Sequence, residues 1–171
     1  MIRQFLDVFW FLLRDLWYLW LIVLLIGVAK PFFSFLSEWL EKRRTQKWLE
    51  EHKTLEDWKK LGGTEFEKVV AAIYKNLGYK TEKRRIDRGI DIVATKDGKR
   101  IFFQCKQMEK VIPDAVRAFW GSIEVEIRRG KGEKGLFVTT GNFTAGSHDF
   151  VKDKPIELID GLKLEKLAKR G

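Results

Sequence analysis

The chain has 171 residues and a formal net charge of +9, with 33 Lys+Arg against 24 Asp+Glu, which leaves room for one globular core and an extension. A single cysteine, Cys105, excludes an intramolecular disulfide, and two histidines, His52 and His148, are too few to build a Cys/His zinc site. The first 36 residues are close to charge balance, so the basic surplus belongs to the remainder, where it suits a polyanion such as nucleic acid or an anionic membrane surface.

Leu16 to Ala29 carries no charge, and continuing past Lys30 and Pro31 to Leu36 gives 21 residues, enough to cross a bilayer core of about 30 Å. Trp10, Trp17, Tyr18, Trp20 and Trp39 are amphipathic aromatics of the kind that settle at headgroup depth. Residues 1–36 are therefore expected to be a membrane anchor, a single transmembrane helix touching lipid through residues 16–36. Lys30-Pro31 also allows two re-entrant pieces, and Gly27-Val28-Ala29 resembles the cleavage site of a signal peptide. Asp7 and Asp15 ahead of the apolar run, and Phe32, Phe33 and Phe35 beyond it, favour the anchor. Lys42, Arg43, Arg44, Lys47 and Lys53 follow the segment, so the positive-inside bias predicts a single-pass protein of the cell inner membrane with its C-terminal part in the cytoplasm. Residues 37–62 place Leu40, Trp48, Leu49, Leu55 and Trp58 at loosely helical spacing, which reads as a juxtamembrane helical linker ending at Gly62-Gly63.

A globular domain is expected over residues 63–171. Thr64 is positioned to cap a helix reaching Leu77, with Phe66, Val69, Val70, Ile73 and Leu77 on one apolar stripe and Gly78 as its stop. Tyr79 to Lys83 alternates as a strand. The stretch "GIDIVATKDGKRIFFQCKQ", residues 89–107, follows as a hairpin turning at Asp97-Gly98. Counting outward from that turn pairs Lys96 with Lys99, Ala94 with Ile101, Val93 with Phe102, and Asp91 with Gln104. Alternation puts Lys106 on the face of Gln104, roughly 6 to 7 Å further on, and sends Ile90, Ile92, Ile101, Phe103 and Cys105 to the other face. A hairpin apolar on both sides belongs to a sheet covered by helices above and below. Pro113 opens a helix to about Arg128, "KGLFVTT" is a buried strand, "TAGSHDFVKD" a short helix, "IELID" a last strand, and Leu162 to Lys169 a closing helix. The order αβββαβαβα predicts an α/β fold, a mixed β-sheet flanked by helices.

The polar residues of this greasy hairpin carry the chemistry. A carboxylate at Asp91 facing the amide of Gln104, with Lys106 alongside, suits a hard cation such as Mg²⁺, which takes oxygen ligands and keeps water and substrate phosphate in its shell. Lys106 is placed to orient or deprotonate the attacking water, or to stabilise charge on a phosphate. Glu65 and Glu67 flank the apolar stripe on either side, and periodicity does not choose between them as a further ligand. The same residues also fit a structural ion pair and amide at a hairpin end. Lys80, Lys83, Arg84, Arg85 and Arg88 form a basic run that reads as a nucleic-acid phosphate track or as a solvated loop.

The segments "GTEFEKVVAAIYKNLGYKTE", "DRGIDIVATKDGKRIFFQCK", "GLFVTTGNFT" and "IELIDG", taken in order, resemble the Mrr-like restriction endonuclease catalytic domain of the PD-(D/E)XK nuclease superfamily. The resemblance covers essentially all of Thr64 to Ala168 and implies a restriction-endonuclease-like sheet, Mg²⁺ or Mn²⁺ as cofactor and DNA as substrate. It makes Asp91 the metal-binding aspartate, Gln104 the occupant of a position that is acidic in much of the superfamily, Lys106 the terminal lysine, and Glu67 the helix glutamate. Gln104 removes one negative charge from the metal site, and Arg88 stands where the family commonly has glycine. The expected protein is a membrane-anchored, metal-dependent endodeoxyribonuclease, with a role in defence against foreign DNA, as a homo-oligomer or with defence-system partner proteins. The rivals are a catalytically inactive nuclease fold that tethers DNA or assembles at the membrane, and a pore-forming or complex subunit for which the membrane segment is primary.

Overall fold

The computed structural model describes residues 3–4, 9–11, 17–51, 54–83 and 89–170, without the side chains at 20–26, 28, 38, 41–42, 45–46 and 48–49. It divides into two compact units, residues 1–47 and 48–171. Arg84, Arg85 and Arg88, predicted to contact nucleic acid, lie outside the described residues.

The N-terminal unit is dominated by helix α1, Trp17–Glu51, which continues past residue 47. It runs on through Pro31 rather than breaking into re-entrant pieces. A proline there leaves the carbonyl of Gly27 without its helical donor. Below it, the hydroxyls of Ser34 and Ser37 fold back onto the carbonyls of Pro31 and Ser34, at 2.9 and 2.8 Å. Trp17, Tyr18, Phe32, Phe33, Phe35 and Trp39 are exposed, and the Arg43 guanidinium stacks 3.9 Å above the Trp39 ring. Among the described residues no helix is long and apolar enough to cross a membrane; the side chains of residues 20–26, the middle of the apolar run, are outside that description.

The second unit is built on a five-stranded mixed sheet in the order β1-β2-β3-β5-β7: Lys80–Lys83, Ile92–Lys96, Lys99–Lys106, Lys134–Thr139 and Ile156–Ile159. The first three strands are antiparallel and the last three parallel. The hairpin has the register read from its turn, Lys96 opposite Lys99, Ala94 opposite Ile101 and Val93 opposite Phe102. Asp97 and Gly98 both take positive φ, 52° and 76°, the pairing of left-handed residues that a two-residue hairpin turn requires.

Helices cover both faces. On one, α2 (Leu55–Lys60), α3 (Gly63–Asn76) and α6 (Gly161–Ala168) bury Trp58, Phe66, Val70, Ile73 and Leu164 against Ile92, Phe103 and Val138. On the other, α4 (Pro113–Arg128) and α5 (Ala145–Val151) bury Val116, Phe119 and Ile123 against Val93, Phe102 and Phe137. Each large side chain enclosed in this way contributes about 1.5–3 kcal/mol, and Trp58 is fully buried. Leu55, Trp58 and Leu61, read from sequence as juxtamembrane, thus belong to the packing of the sheet. Helix α3 starts at Gly63 with Gly62 as its cap, so Thr64 does not cap it. Glu65 instead accepts from the Gly62 N–H at 3.1 Å, meeting one of the donors a helix start leaves unpaired. Two short strands absent from the sequence expectation, β4 (Lys110–Val111) and β6 (Asn142–Phe143), pair beside the main sheet.

Candidate active site

The first departure from strict alternation comes at Asp91. Ile90 joins Val93 and Phe102 in the second core, not Ile92 in the first, so the chain twists between residues 90 and 92. The Asp91 N–H donates to the Phe103 carbonyl at 2.8 Å. Its carboxylate turns toward strand β3 and accepts the Cys105 N–H at 2.7 Å. Asp91 thus stands in for a main-chain acceptor at the end of the ladder and is anchored by the residue between Gln104 and Lys106.

Gln104 leaves β3 in a different direction. A Cβ placed on Gly89 would lie 3.3 Å from Gln104 Nε2 and 3.3 Å from Ser122 Oγ, so the amide packs over the bare backbone of Gly89 beside α4. Gly89 takes φ of 92°, a conformation suited to glycine. Gln104 is one residue from the Asp91 anchor along β3, and its amide nitrogen lies against Ser122 and against Gly89, two residues before Asp91.

Helix α3 delivers Glu67. Its Oε2 accepts from Lys83 Nζ at 3.1 Å, and the same ammonium reaches the Thr64 carbonyl at 3.2 Å. Lys83, predicted as part of a phosphate track, is engaged inside the carboxylate cluster. Glu65 is spent on the helix start, so the structure distinguishes two glutamates that periodicity left equivalent.

The charges act on one another. Burial raises the Asp91 pKa above the ordinary carboxylate value and Glu67 raises it further, while the Cys105 N–H bond and the ammoniums of Lys106 and Lys83 pull it down without cancelling the rise. Burial likewise pushes the Cys105 thiol up, with Asp91 and Glu67 adding to it; a protonated, packed thiol is a core group here, as the sequence predicted. A carboxylate destabilised by burial and by a second carboxylate is one whose environment improves when a cation arrives.

Among the described residues no three His, Cys, Asp or Glu side chains form a metal cluster. The donors available are two carboxylates and an amide, which fits Mg²⁺, an ion held by one or two carboxylates with water completing its shell. It does not fit a dedicated all-protein cage.

Sequence reasoning missed Gln107. Its amide donates to the carbonyls of Trp58 and Leu61, both at 2.7 Å, and so ties the end of β3 to helix α2. The only available signal was a polar residue continuing "QCKQ" past the strand.

Residues 58–168 match the Mrr_cat family, described as restriction endonuclease. The chain is 28% identical over 123 residues to the type IV methyl-directed restriction enzyme EcoKMrr of Escherichia coli strain K12, a match covering 64% of this chain and 39% of that enzyme. It therefore spans well under half the length of that relative. Among solved structures, the protein of unknown function AF1548 superposes with a TM-score of 0.55 at 17% identity, over 64% of this chain and 67% of that one; the likeness concerns the fold. The MspJI restriction endonuclease in complex with a 27-mer oligonucleotide gives a TM-score of 0.46 at 19% identity, over 75% and 30% of the two chains.

Proposed function

The chain belongs to the Mrr_cat restriction endonuclease family, and from that premise we propose that it is a divalent-metal-dependent DNA endonuclease that hydrolyses phosphodiester bonds. The single observation carrying this reading is the Asp91 carboxylate, held by the Cys105 N–H and kept at a raised pKa by burial and Glu67, with two lysines in electrostatic reach. A carboxylate whose pKa is raised by burial and by a second carboxylate is favoured by the arrival of a cation.

Asp91 and Glu67, with the amide oxygen of Gln104, would hold Mg²⁺ or Mn²⁺. When bound, such an ion supplies Lewis-acid stabilisation of charge on the scissile phosphate. The rest is done by the chain. Cys105 fixes the orientation of the Asp91 carboxylate through one of its oxygens. Lys83 balances Glu67 before the ion is present. Lys106, exposed at the end of β3, is placed to orient the attacking water and to offset negative charge developing on the phosphate. The surplus of basic residues, Arg84, Arg85 and Arg88 among them, supplies attraction to the DNA backbone.

Two elements of the proposal concern setting. The exposed aromatics of α1 and the basic residues of its C-terminal half support attachment to the cell inner membrane with the nuclease unit on the cytoplasmic side. Defence against foreign DNA is proposed from the methyl-directed restriction activity named for EcoKMrr.

The test uses the full chain in detergent, supercoiled plasmid, and Mg²⁺ or Mn²⁺, beside Asp91→Asn and Lys106→Met. Each substitution is expected to lower cleavage by at least about a hundredfold while the urea midpoint stays near that of the wild type. Undiminished cleavage by both variants would sink the site assignment. A second reading, a nuclease fold that binds DNA without cutting it, draws on the Gln104 amide lying against Gly89 and Ser122. DNA binding indifferent to Mg²⁺, with no cleavage by the wild type, would favour it.

A further inference from the structure

A pocket of about 580 Å³ opens at the carboxyl ends of β3, β5 and β7, the two residues after Lys106 forming part of its wall. Crevices outside the carboxyl ends of parallel strands are where α/β proteins place ligands, and this volume is within the range of small-molecule sites. Met108 and Leu162, both exposed, and Leu55 give it apolar surface. Its polar lining includes the buried Thr140, the exposed amide of Asn142, the ammonium of Lys59 and the carboxylate of Glu109.

The backbone around the pocket is fixed. A Cβ on Gly141 would collide with the carbonyl oxygens of Met108 and Glu109, and one on Gly161 would lie 2.5 Å from the Thr140 carbonyl oxygen. Asn142 N–H donates to the Glu109 carbonyl at 2.9 Å, Gly161 N–H to the Gly141 carbonyl at 3.1 Å, and the Thr139 hydroxyl to the Met108 carbonyl at 3.0 Å. The cavity is thus framed by main-chain contacts and exists before any ligand enters.

We propose that this pocket is a nucleotide subsite, taking one base of the substrate strand beside the scissile phosphate. The inference rests on the nuclease reading and deepens it. A base is flat, with two apolar faces and a hydrogen-bonding edge, and the lining supplies apolar side chains, Met108, Leu162 and Leu55, and an exposed amide, Asn142. A thioether against an aromatic ring is a favourable contact, and an amide side chain offers both a donor and an acceptor to a base edge. Lys59, paired with Glu56 at 2.7 Å, and Glu109 balance each other's charge in the lining. Because the lining follows Lys106 directly in the chain, a strand crossing the candidate site has its next nucleotide within reach.

The experiment titrates full-length protein in detergent with 2-aminopurine deoxyribonucleoside 5′-monophosphate, without metal, and follows the fluorescence of the base. Saturable quenching is expected, competed by unlabelled deoxynucleoside monophosphates. Leu162→Glu, which sets a carboxylate against the nucleotide at an exposed position, should weaken binding by at least about tenfold, and Asn142→Ala should change the order in which the four natural nucleotides compete. Absence of saturable quenching, or equal binding by wild type and Leu162→Glu, would overturn the proposal. The readout needs no cleavage, so the two readings fail separately: nucleotide binding without plasmid cleavage keeps the pocket and removes the nuclease, and cleavage without nucleotide binding does the reverse.

Discussion

Replacing Lys83 by methionine isolates the charge balance of the candidate site. The ammonium lies 3.1 Å from Glu67, with side chains 35% and 26% exposed. At that separation and an effective dielectric near 20 the bare attraction is about 5 kcal/mol. Partial exposure returns most of this to solvation and to ordering two side chains, leaving a net contribution of about 1 kcal/mol. Methionine keeps the stem's packing and removes only the charge and its hydrogen bonds to Glu67 and the Thr64 carbonyl. In metal-free buffer at neutral pH, Lys83→Met should therefore lower stability by about 1 kcal/mol, a fall of roughly half a molar in the urea midpoint. Part of that loss is repulsion left between Glu67 and Asp91, so adding Glu67→Gln to Lys83→Met should recover most of it. The double-mutant cycle should give a coupling of about 1 kcal/mol. Mg²⁺ should stabilise Lys83→Met more than the wild type, since no internal cation then competes for Glu67. A Lys83→Met protein as stable as the wild type, or one that Glu67→Gln fails to rescue, would refute the reasoning.

Three further outcomes test the frame around the site. Gly141→Ala should destabilise by at least about 2 kcal/mol in denaturant unfolding, because its Cβ meets two backbone oxygens, those of Met108 and Glu109, which have no rotamer through which to withdraw. Trp58→Ala should cost about 3–5 kcal/mol in the same assay, since Trp58 is fully buried in the first core. Burial raises the pKa of Glu157, but the bonds from Lys134 and Lys163, each 2.7 Å, outweigh it and hold the group below its ordinary value of 4.5. The stabilisation is thus complete above that ordinary value and is lost as pH falls through the lower folded value; Glu157→Gln should destabilise at pH 7, and the difference from wild type should vanish in acid unfolding curves.

The sequence was most legible where one local device controls many residues. Asp97-Gly98 permits a single register, so every pairing along β2 and β3 followed from counting. The apolar stripe of α3 and the proline opening α4 were equally readable, because each is a short-range signal. Counting stopped serving at Asp91. Its side chain replaces a main-chain acceptor for Cys105, and the accompanying twist carries Ile90 to the opposite core from Ile92. Period-two patterning has no symbol for a side chain lying in the plane of the ladder. Glu65 and Glu67 were indistinguishable by angle and were separated by partners distant in sequence: Gly62 holds the first, and Lys83, sixteen residues from Glu67, holds the second. Trp58 looked like one aromatic among many in a charged helix; it fills the first core, and Gln107, 49 residues away, bonds to its carbonyl.

The segment from Gln107 to Glu109 is held to its neighbours chiefly through main-chain oxygens and through Gln107, whereas the side chains of Met108, Glu109 and Asn142 take no part in that framework. Shape and chemical identity are thereby separated at this edge of the molecule. Substitutions at those three positions can alter what is presented to a ligand while the ribbon carrying them keeps its course and Lys106 keeps its place. If the pocket takes a nucleotide as proposed, a lineage of such proteins is free to change its preferences by point mutation, without rebuilding the scaffold and without disturbing the groups proposed for hydrolysis.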